Sequence, residues 1–253
     1  MATAVRNGAR IEYEATGEGP PLVLLHGFFG DRSTWHAAGY VSALADQFRL
    51  IIIDLIGHGG SDSPDDPARY RMDEHARDVV AVLDSLGVDR AAVWGASMGG
   101  RVGFHLMARS PDRLAALIAS GAHACAVETD LAEARRAGAV LREQGAAPFA
   151  DAMEPLSGWM REVMLRADGH ALALQLLADA GETSPLSDLG LATTPVLLLA
   201  GDRDPRLSLI RITGSRMSRA EVAVLPGCGH SDTFTRTDLT MPLAREFLGR
   251  PRP

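Results

Sequence analysis

Ser97 occupies a position from which a serine hydroxyl could act as a nucleophile. It is the central residue of Gly95-Ala96-Ser97-Met98-Gly99, between an apolar run at 91–94 and a segment with helical spacing at 98–108. A sharp strand-to-helix turn lifts such a serine clear of the sheet, and the flanking glycines leave the room that the turn needs. The N-terminus of the following helix offers unpaired N–H groups to a developing oxyanion. We therefore predict that Ser97 is the nucleophile and that the backbone N–H of Met98 is one oxyanion donor.

Two further residues have the types and positions needed to activate a serine. His230 follows the apolar run at 221–225, and an imidazole exchanges a proton near neutral pH, as a general base must. Asp204 follows the run at 195–200 and would accept the imidazole Nδ1–H, which fixes the tautomer. Asp202 is the rival for this role, but Asp204 lies further out on the loop. Asp232 is a third candidate, which we disfavour because it begins a helix and points away.

The sequence His26-Gly27-Phe28-Phe29-Gly30 follows another apolar run, at 21–25. A loop in this position would bring a second backbone N–H to the oxyanion, and we assign this donor to Phe28. His26 is expected to brace the loop. The spacing of the glycines does not match G-x-G-x-x-G, so we predict no dinucleotide site here.

Short apolar runs alternate with segments of helical spacing along most of the chain. The runs lie at 21–25, 50–54, 91–94, 114–120, 195–200 and 221–225, and they suit strands buried on both faces of a parallel sheet. Helical spacing is found at 73–86, 98–108, 207–218 and 239–248. Asn7-Gly8 predicts a hairpin near the N-terminus. The alternation predicts an α/β fold with helices on both faces of the sheet.

Residues 123–191 interrupt this alternation, because they contain no convincing strand and are typical of several short helices. We predict that they form a helical cap over a ligand pocket, inserted into a core made of residues 1–122 and 192–253. Extra helical packing against the sheet is the alternative. The expected substrate-binding residues are mainly apolar, although a stripe of Met and aromatic residues belongs more often to a core than to a pocket. They are Phe29, Met153, Trp159, Met160 and, on the helix that follows the serine, Arg101.

Composition excludes several other classes of function. The net charge is −7 and every basic residue is arginine, so lysine Schiff-base chemistry is excluded and no basic patch indicates nucleic acid or a membrane surface as a partner. Cys125 and Cys228 lack metal-ligand spacing, and we expect no metal site and no disulfide framework. Neither a signal peptide nor an apolar stretch of membrane-spanning length is evident. We expect a cytoplasmic monomer or homodimer that acts on a small molecule.

Five motifs together resemble those of the α/β-hydrolase superfamily. They are H-G-x-x-G at 26–30, D-x-x-G-H-G-x-S at 54–61, G-x-S-x-G-G at 95–100, G-D-x-D at 201–204 and G-H at 229–230. The order serine, aspartate, histidine is also the order of that superfamily. The resemblance implies an α/β-hydrolase fold with an eight-stranded, mostly parallel sheet, a helical cap after the sixth strand and an acyl-enzyme route without a cofactor. Ile56 departs from the pattern, since relatives usually have Pro or Arg there, and this affects a turn.

The superfamily leaves the reaction open, because one fold supports many functions. Our main hypothesis is hydrolysis of a small, apolar carboxylic ester, thioester or lactone. The stretch from Ser97 to Arg101 also resembles the lyase of menaquinone synthesis, in which an arginine at this position binds a substrate carboxylate. Ala96 speaks against that lyase, which has an aromatic residue there. A C–C bond hydrolase with the same triad and a non-catalytic ligand receptor on the same fold are further alternatives.

Overall fold

The computed structural model describes residues 1–126, 130–153 and 156–250. Its strands are β1 (Ala2–Arg6), β2 (Ala9–Thr16), β3 (Pro21–Leu25), β4 (Arg49–Ile53), β5 (Ala91–Ala96), β6 (Leu114–Ser120), β7 (Val196–Gly201) and β8 (Ala220–Leu225). They form one eight-stranded sheet in the order β1-β2-β4-β3-β5-β6-β7-β8. The β1–β2 and β2–β4 pairs are antiparallel, and the other five are parallel. The predicted α/β fold with a mostly parallel sheet is confirmed.

The N-terminal hairpin forms where Asn7-Gly8 predicts it. Both residues have positive φ, 49° and 79°, as a type I′ turn between antiparallel strands requires. Every strand predicted from an apolar run is present, with bounds that differ from the expected ones by no more than two residues.

The helices are α1 (Ser33–Ala37), α2 (Tyr40–Leu44), α3 (Met72–Ser85), α4 (Met98–Arg109), α5 (Leu131–Gln144), α6 (Ala147–Ala152), α7 (Gly158–Arg166), α8 (Gly169–Asp179), α9 (Leu186–Leu189), α10 (Leu207–Ser215), α11 (Asp232–Thr235) and α12 (Thr237–Gly249). Short 3₁₀ turns occur at Pro67–Tyr70 and Pro111–Arg113. The C-terminal bound predicted for α10 was wrong by three residues, since the helix ends at Ser215. Among the described residues, no helix combines the length and the apolar character needed to cross a bilayer.

Both faces of the sheet are covered by helices, which explains why the central strands are continuously apolar. One face, with Val23 and Ile51, packs against α3, α4 and α10. The other face, with Leu24 and Ile52, packs against α1, α2 and α12. All four side chains are fully buried. Because alternate residues of a strand point to opposite faces, a strand covered on both sides has no position left for a polar residue.

Helices α5 to α9 occupy the stretch between β6 and β7, and the described residues of this stretch contain no strand. Leu141, Leu172 and Ala173 form a small hydrophobic cluster of their own there. The aromatic side chains of Phe28 and Phe29 pack against that cluster. The inserted helices are therefore seated on the loop that follows β3.

Candidate active site

Ser97 lies at the tight turn between β5 and α4, in a backbone conformation that L-residues rarely adopt. Its φ and ψ are 49° and −107°, and its backbone N–H donates to the Ser120 carbonyl at 2.7 Å. A Cβ atom on Gly95 would lie 2.2 Å from the Gly99 carbonyl carbon, and one on Gly99 would lie 2.3 Å from the Leu25 carbonyl oxygen. Side chains at these two positions would collide with backbone, so both glycines are required for the turn.

The structure brings Ser97, His230 and Asp204 together at the carboxyl ends of three parallel strands, β5, β8 and β7. The distance from Ser97 Oγ to His230 Nε2 is 3.1 Å, and that from His230 Nδ1 to Asp204 Oδ2 is 2.8 Å. A carboxylate accepts only, so His230 carries its proton on Nδ1 and leaves Nε2 free to accept the serine hydroxyl proton. This arrangement is a continuous hydrogen-bonded chain from carboxylate to hydroxyl.

Asp204 is held in its ionised form. It is buried, and its second carboxylate oxygen accepts the Arg206 backbone N–H at 2.9 Å. Burial pushes the pKa of Asp204 upward, but the hydrogen bonds from His230 and Arg206 outweigh burial and leave this pKa below its usual value. The carboxylate is thus ready to stabilise a positive charge on the imidazole.

Neither of the two other candidates for the acid, Asp202 and Asp232, is the carboxylate that pairs with His230. Asp202 is exposed. Asp232 begins α11, and its carboxylate accepts the Gly229 backbone N–H at 2.7 Å, which fixes the loop that carries His230.

Phe28 and Met98 border the same cavity as Ser97. Within the described part of the chain, neither of their backbone N–H groups has an acceptor. The next amide along, that of Gly99, instead donates to the His26 carbonyl at 3.1 Å. The two N–H groups predicted as oxyanion donors are therefore available, and their catalytic role stays a prediction.

Two buried histidines hold the loop at 26–30 in place. His26 Nδ1–H donates to the Gly27 carbonyl at 2.9 Å, and its Nε2 accepts the Leu55 backbone N–H at 3.1 Å. Burial lowers the pKa of His26 to about 3, so the ring is neutral. His58 Nε2–H donates to the Phe28 carbonyl at 2.8 Å. This contact of His58 was not predicted, because nothing near position 58 in the chain indicates contact with position 28.

The triad opens into a cavity of about 420 Å³ between the sheet and α7 and α8. Of the predicted substrate-binding residues, Phe29, Met153, Met160 and Arg101 line it. Trp159 does not: its ring packs against that of Phe234, 6.4 Å away between centroids. Trp159 therefore supports a lining residue instead of facing the cavity. The cavity is also lined by residues that were not predicted, among them Val163, Leu176, Asp179, Arg206 and Phe234.

One ion pair stands out in this mostly apolar lining. The Arg101 guanidinium lies 3.3 Å from the Asp179 carboxylate, and both side chains are largely buried. Burial raises the pKa of Asp179, while the charge of Arg101 opposes that rise. The sequence gives no signal for this pair, because its members lie on separate helices far apart in the chain.

Comparison with known proteins agrees with the fold. A family model described as alpha/beta hydrolase fold matches residues 20–146, which is half of the chain. The chain belongs to this family. The match includes the predicted nucleophile and the loop at 26–30, whereas Asp204 and His230 lie beyond it.

The proteins that this chain is similar to include several types of enzyme. The chain is 34% identical over 234 residues to a dihydrolipoyllysine-residue acetyltransferase component of an acetoin cleaving system from Pseudomonas putida, covering 86% of this chain and 60% of that protein. It is 28% identical over 222 residues to 3-oxoadipate enol-lactonase 2 of Acinetobacter baylyi, covering 80% and 79%. The crystal structure of an enol-lactonase from Burkholderia xenovorans matches with a TM-score of 0.88 and 25% identity over 98% and 100% of the two chains.

Proposed function

We propose that this α/β hydrolase cleaves a small, largely apolar carboxylic ester, thioester or lactone through an acyl-enzyme on Ser97. The observation that carries the proposal is the hydrogen-bonded chain from Asp204 through His230 to Ser97, with distances of 2.8 Å and 3.1 Å. Nucleophile and base within this reach, with the base oriented by a third group, are the geometry that acyl transfer requires. The enol-lactonases among the relatives give further support for a lactone or ester substrate.

In the acylation step, Ser97 Oγ attacks the substrate carbonyl carbon and its proton passes to His230 Nε2. The resulting oxyanion is stabilised by the free N–H groups of Phe28 and Met98. Collapse of the tetrahedral intermediate breaks the bond to the leaving oxygen or sulfur, which takes the proton from His230. Asp204 stabilises the imidazolium while it exists.

In the deacylation step, water attacks the acyl carbonyl carbon and gives its proton to His230 Nε2. The bond to Ser97 Oγ breaks, and the serine recovers its proton from the imidazole. The products are a carboxylic acid and an alcohol or thiol; a lactone gives a single hydroxy acid.

The cavity supports a substrate of modest size. Its volume of about 420 Å³ lies within the range of small-molecule sites, which is roughly 300–1,000 Å³. Phe29, Met160 and Val163 contribute apolar surface, so the acyl or alcohol part should be apolar. We further propose that residues 123–191 are the cap of this pocket, since α7 and α8 supply part of its lining.

A fluorophosphonate probe together with a panel of acyl esters tests the nucleophile. Ser97→Ala should lose both the covalent adduct and about 10³-fold or more in kcat. Ser231→Ala is the matched control, because Ser231 is a second hydroxyl in the same cavity. This control should keep the adduct.

Full activity of Ser97→Ala on every hydrolysed ester would refute the proposal. Product analysis separates the alternatives: a lyase releases no hydrolytic acid. Stoichiometric labelling of Ser97 without turnover of any ester would instead indicate a ligand receptor.

A further inference from the structure

The Arg101–Asp179 pair lies inside the cavity that the proposed reaction uses. Arg101 is on the first turns of α4, and its backbone N–H donates to the Ser97 carbonyl at 3.1 Å. Asp179 is the last residue of α8, and both residues line the cavity. The two charged groups are 3.3 Å apart, with 16% and 14% of their side chains exposed. Helix α8 thus places a carboxylate beside the arginine that lies four residues after Ser97 in the chain.

Asp179 is fixed by a series of hydrogen bonds behind it. Its Oδ1 accepts from the Gln175 side-chain amide at 3.1 Å. The same amide donates to the Tyr70 carbonyl at 2.8 Å, and its oxygen lies 2.8 Å from His75 Nε2. Gln175 and His75 are fully buried. Because these contacts hold the carboxylate from the protein interior, Asp179 cannot swing away from Arg101 without breaking buried hydrogen bonds.

The surrounding charges leave no surplus positive charge for a substrate. Glu182 is a second acidic group near Arg101, on the side facing away from the main cavity, and its carboxylate accepts the Met72 backbone N–H at 3.3 Å. Arg206 is the other arginine in the described lining, and it lies 3.8 Å from Asp204. Each arginine of this lining therefore has an acidic partner.

We propose that Asp179 is a specificity-determining residue that excludes substrates with a carboxylate on the acyl chain. With Asp179 in place, Arg101 is already neutralised, and a second carboxylate would meet like charge in a partly desolvated pocket. A neutral apolar acyl chain is not repelled by Asp179 and does not need a charged partner. The inference rests on the proposed ester hydrolysis and names the substrate class of that same site.

Two aryl esters with acyl chains of equal length test this selectivity. 4-Nitrophenyl hexanoate ends in a methyl group, and mono-4-nitrophenyl adipate ends in a carboxylate on a chain of the same six carbons. The wild-type enzyme should have a kcat/KM about tenfold or more higher for the hexanoate. Asp179→Asn should lower this ratio by about tenfold, chiefly by raising kcat/KM for the adipate, because Arg101 then becomes available to the substrate carboxylate.

Two further variants separate selectivity from structural damage. Arg101→Gln should move the ratio in the opposite direction, further against the adipate, whereas general damage would lower both rates together. Glu182→Gln also removes a negative charge near Arg101, but Glu182 does not line the main cavity, so its effect should be smaller than that of Asp179→Asn.

The outcomes distinguish this inference from the proposed function. A wild-type preference for the adipate, or a ratio that Asp179→Asn leaves unchanged while Ser97-dependent hydrolysis continues, would overturn the role of Asp179 alone. Absence of Ser97-dependent hydrolysis with either ester and with the whole acyl panel would overturn both proposals.

Discussion

At the scale of single residues, the conformation of Ser97 is the feature from which the rest of the site follows. A non-glycine residue with φ of 49° and ψ of −107° carries strain of about 1–3 kcal/mol. The neighbouring structure maintains it, since the Ser97 N–H bonds to Ser120 and its carbonyl accepts the N–H groups of Gly100 and Arg101. In this backbone conformation the Ser97 hydroxyl lies 3.1 Å from His230 Nε2.

The Asp204→Asn variant should be nearly inactive, although asparagine has almost the same shape as aspartate. An asparagine amide would donate to Nδ1 of His230, move the ring proton to Nε2 and remove the acceptor for the Ser97 hydroxyl. On the proposed mechanism we expect a fall in kcat of about 10⁴-fold. Steady-state hydrolysis of a neutral 4-nitrophenyl ester measures it.

The matched control is Asp202→Asn. It makes the same chemical change two residues away on an exposed side chain, and it should keep kcat within about twofold. A larger loss in this control than in Asp204→Asn would reverse the assignment of the acid.

At the scale of elements, the turn between β5 and α4 depends on close backbone contact with β3. Gly99→Ala would put a methyl group 2.3 Å from the Leu25 carbonyl oxygen. We expect the free energy of unfolding to fall by about 1–3 kcal/mol, as in other overpacked sites. We also expect kcat to fall, since α4 must shift and carry Ser97 away from His230. Urea denaturation and ester hydrolysis measure the two effects.

Gly158→Ala is a control for this substitution. A methyl group at position 158, in the first turn of α7, would have no atom of the described residues within 4 Å. Its free energy of unfolding should stay the same or rise by up to about 1 kcal/mol. If Gly99→Ala and Gly158→Ala lowered the free energy of unfolding equally, the close approach of Gly99 to β3 would not be the cause of the loss.

Much of the fold could be predicted from sequence because its signals are local. The buried strands are uninterrupted apolar runs, and the three predicted triad residues each follow such a run. The five-residue helices α1 and α2 were not predicted, since so short a segment has no readable period. Contacts such as Arg101 with Asp179, or His58 with Phe28, were missed because they depend on how separate elements pack. Trp159 was placed in the pocket for its residue type alone, whereas the direction of its side chain depends on the packing of α7.

At the scale of the whole molecule, buried neutral histidines make stability depend on pH. His26 and His75 are fully buried, and burial lowers their pKa values from 6.5 to about 3 and about 4. Between pH 6.5 and pH 4 the unfolded chain binds these protons and the folded protein does not. The free energy of unfolding should therefore fall as pH drops through this window, by about 1.4 kcal/mol per pH unit for each histidine.

Urea denaturation at several pH values between 7 and 4.5 measures this dependence. His75→Gln keeps a hydrogen-bond donor near Gln175 but removes one titrating group. Unfolding of this variant should take up about one proton fewer than unfolding of the wild-type protein. The slope of its free energy of unfolding against pH should be smaller accordingly. An identical slope in the two proteins would contradict the assignment of His75 as a buried neutral ring.

The two groups that we propose to activate the serine lie late in the chain, with His230 133 residues after Ser97. During synthesis Ser97 therefore emerges from the ribosome long before His230, its proposed proton acceptor. On the proposed chemistry, a nascent or C-terminally clipped molecule would carry an ordinary alcohol at position 97 and leave cellular esters untouched. On this mechanism, Ser97 becomes reactive only when β7 and β8 have joined the sheet. Ester turnover would therefore report that the last strand has folded into place.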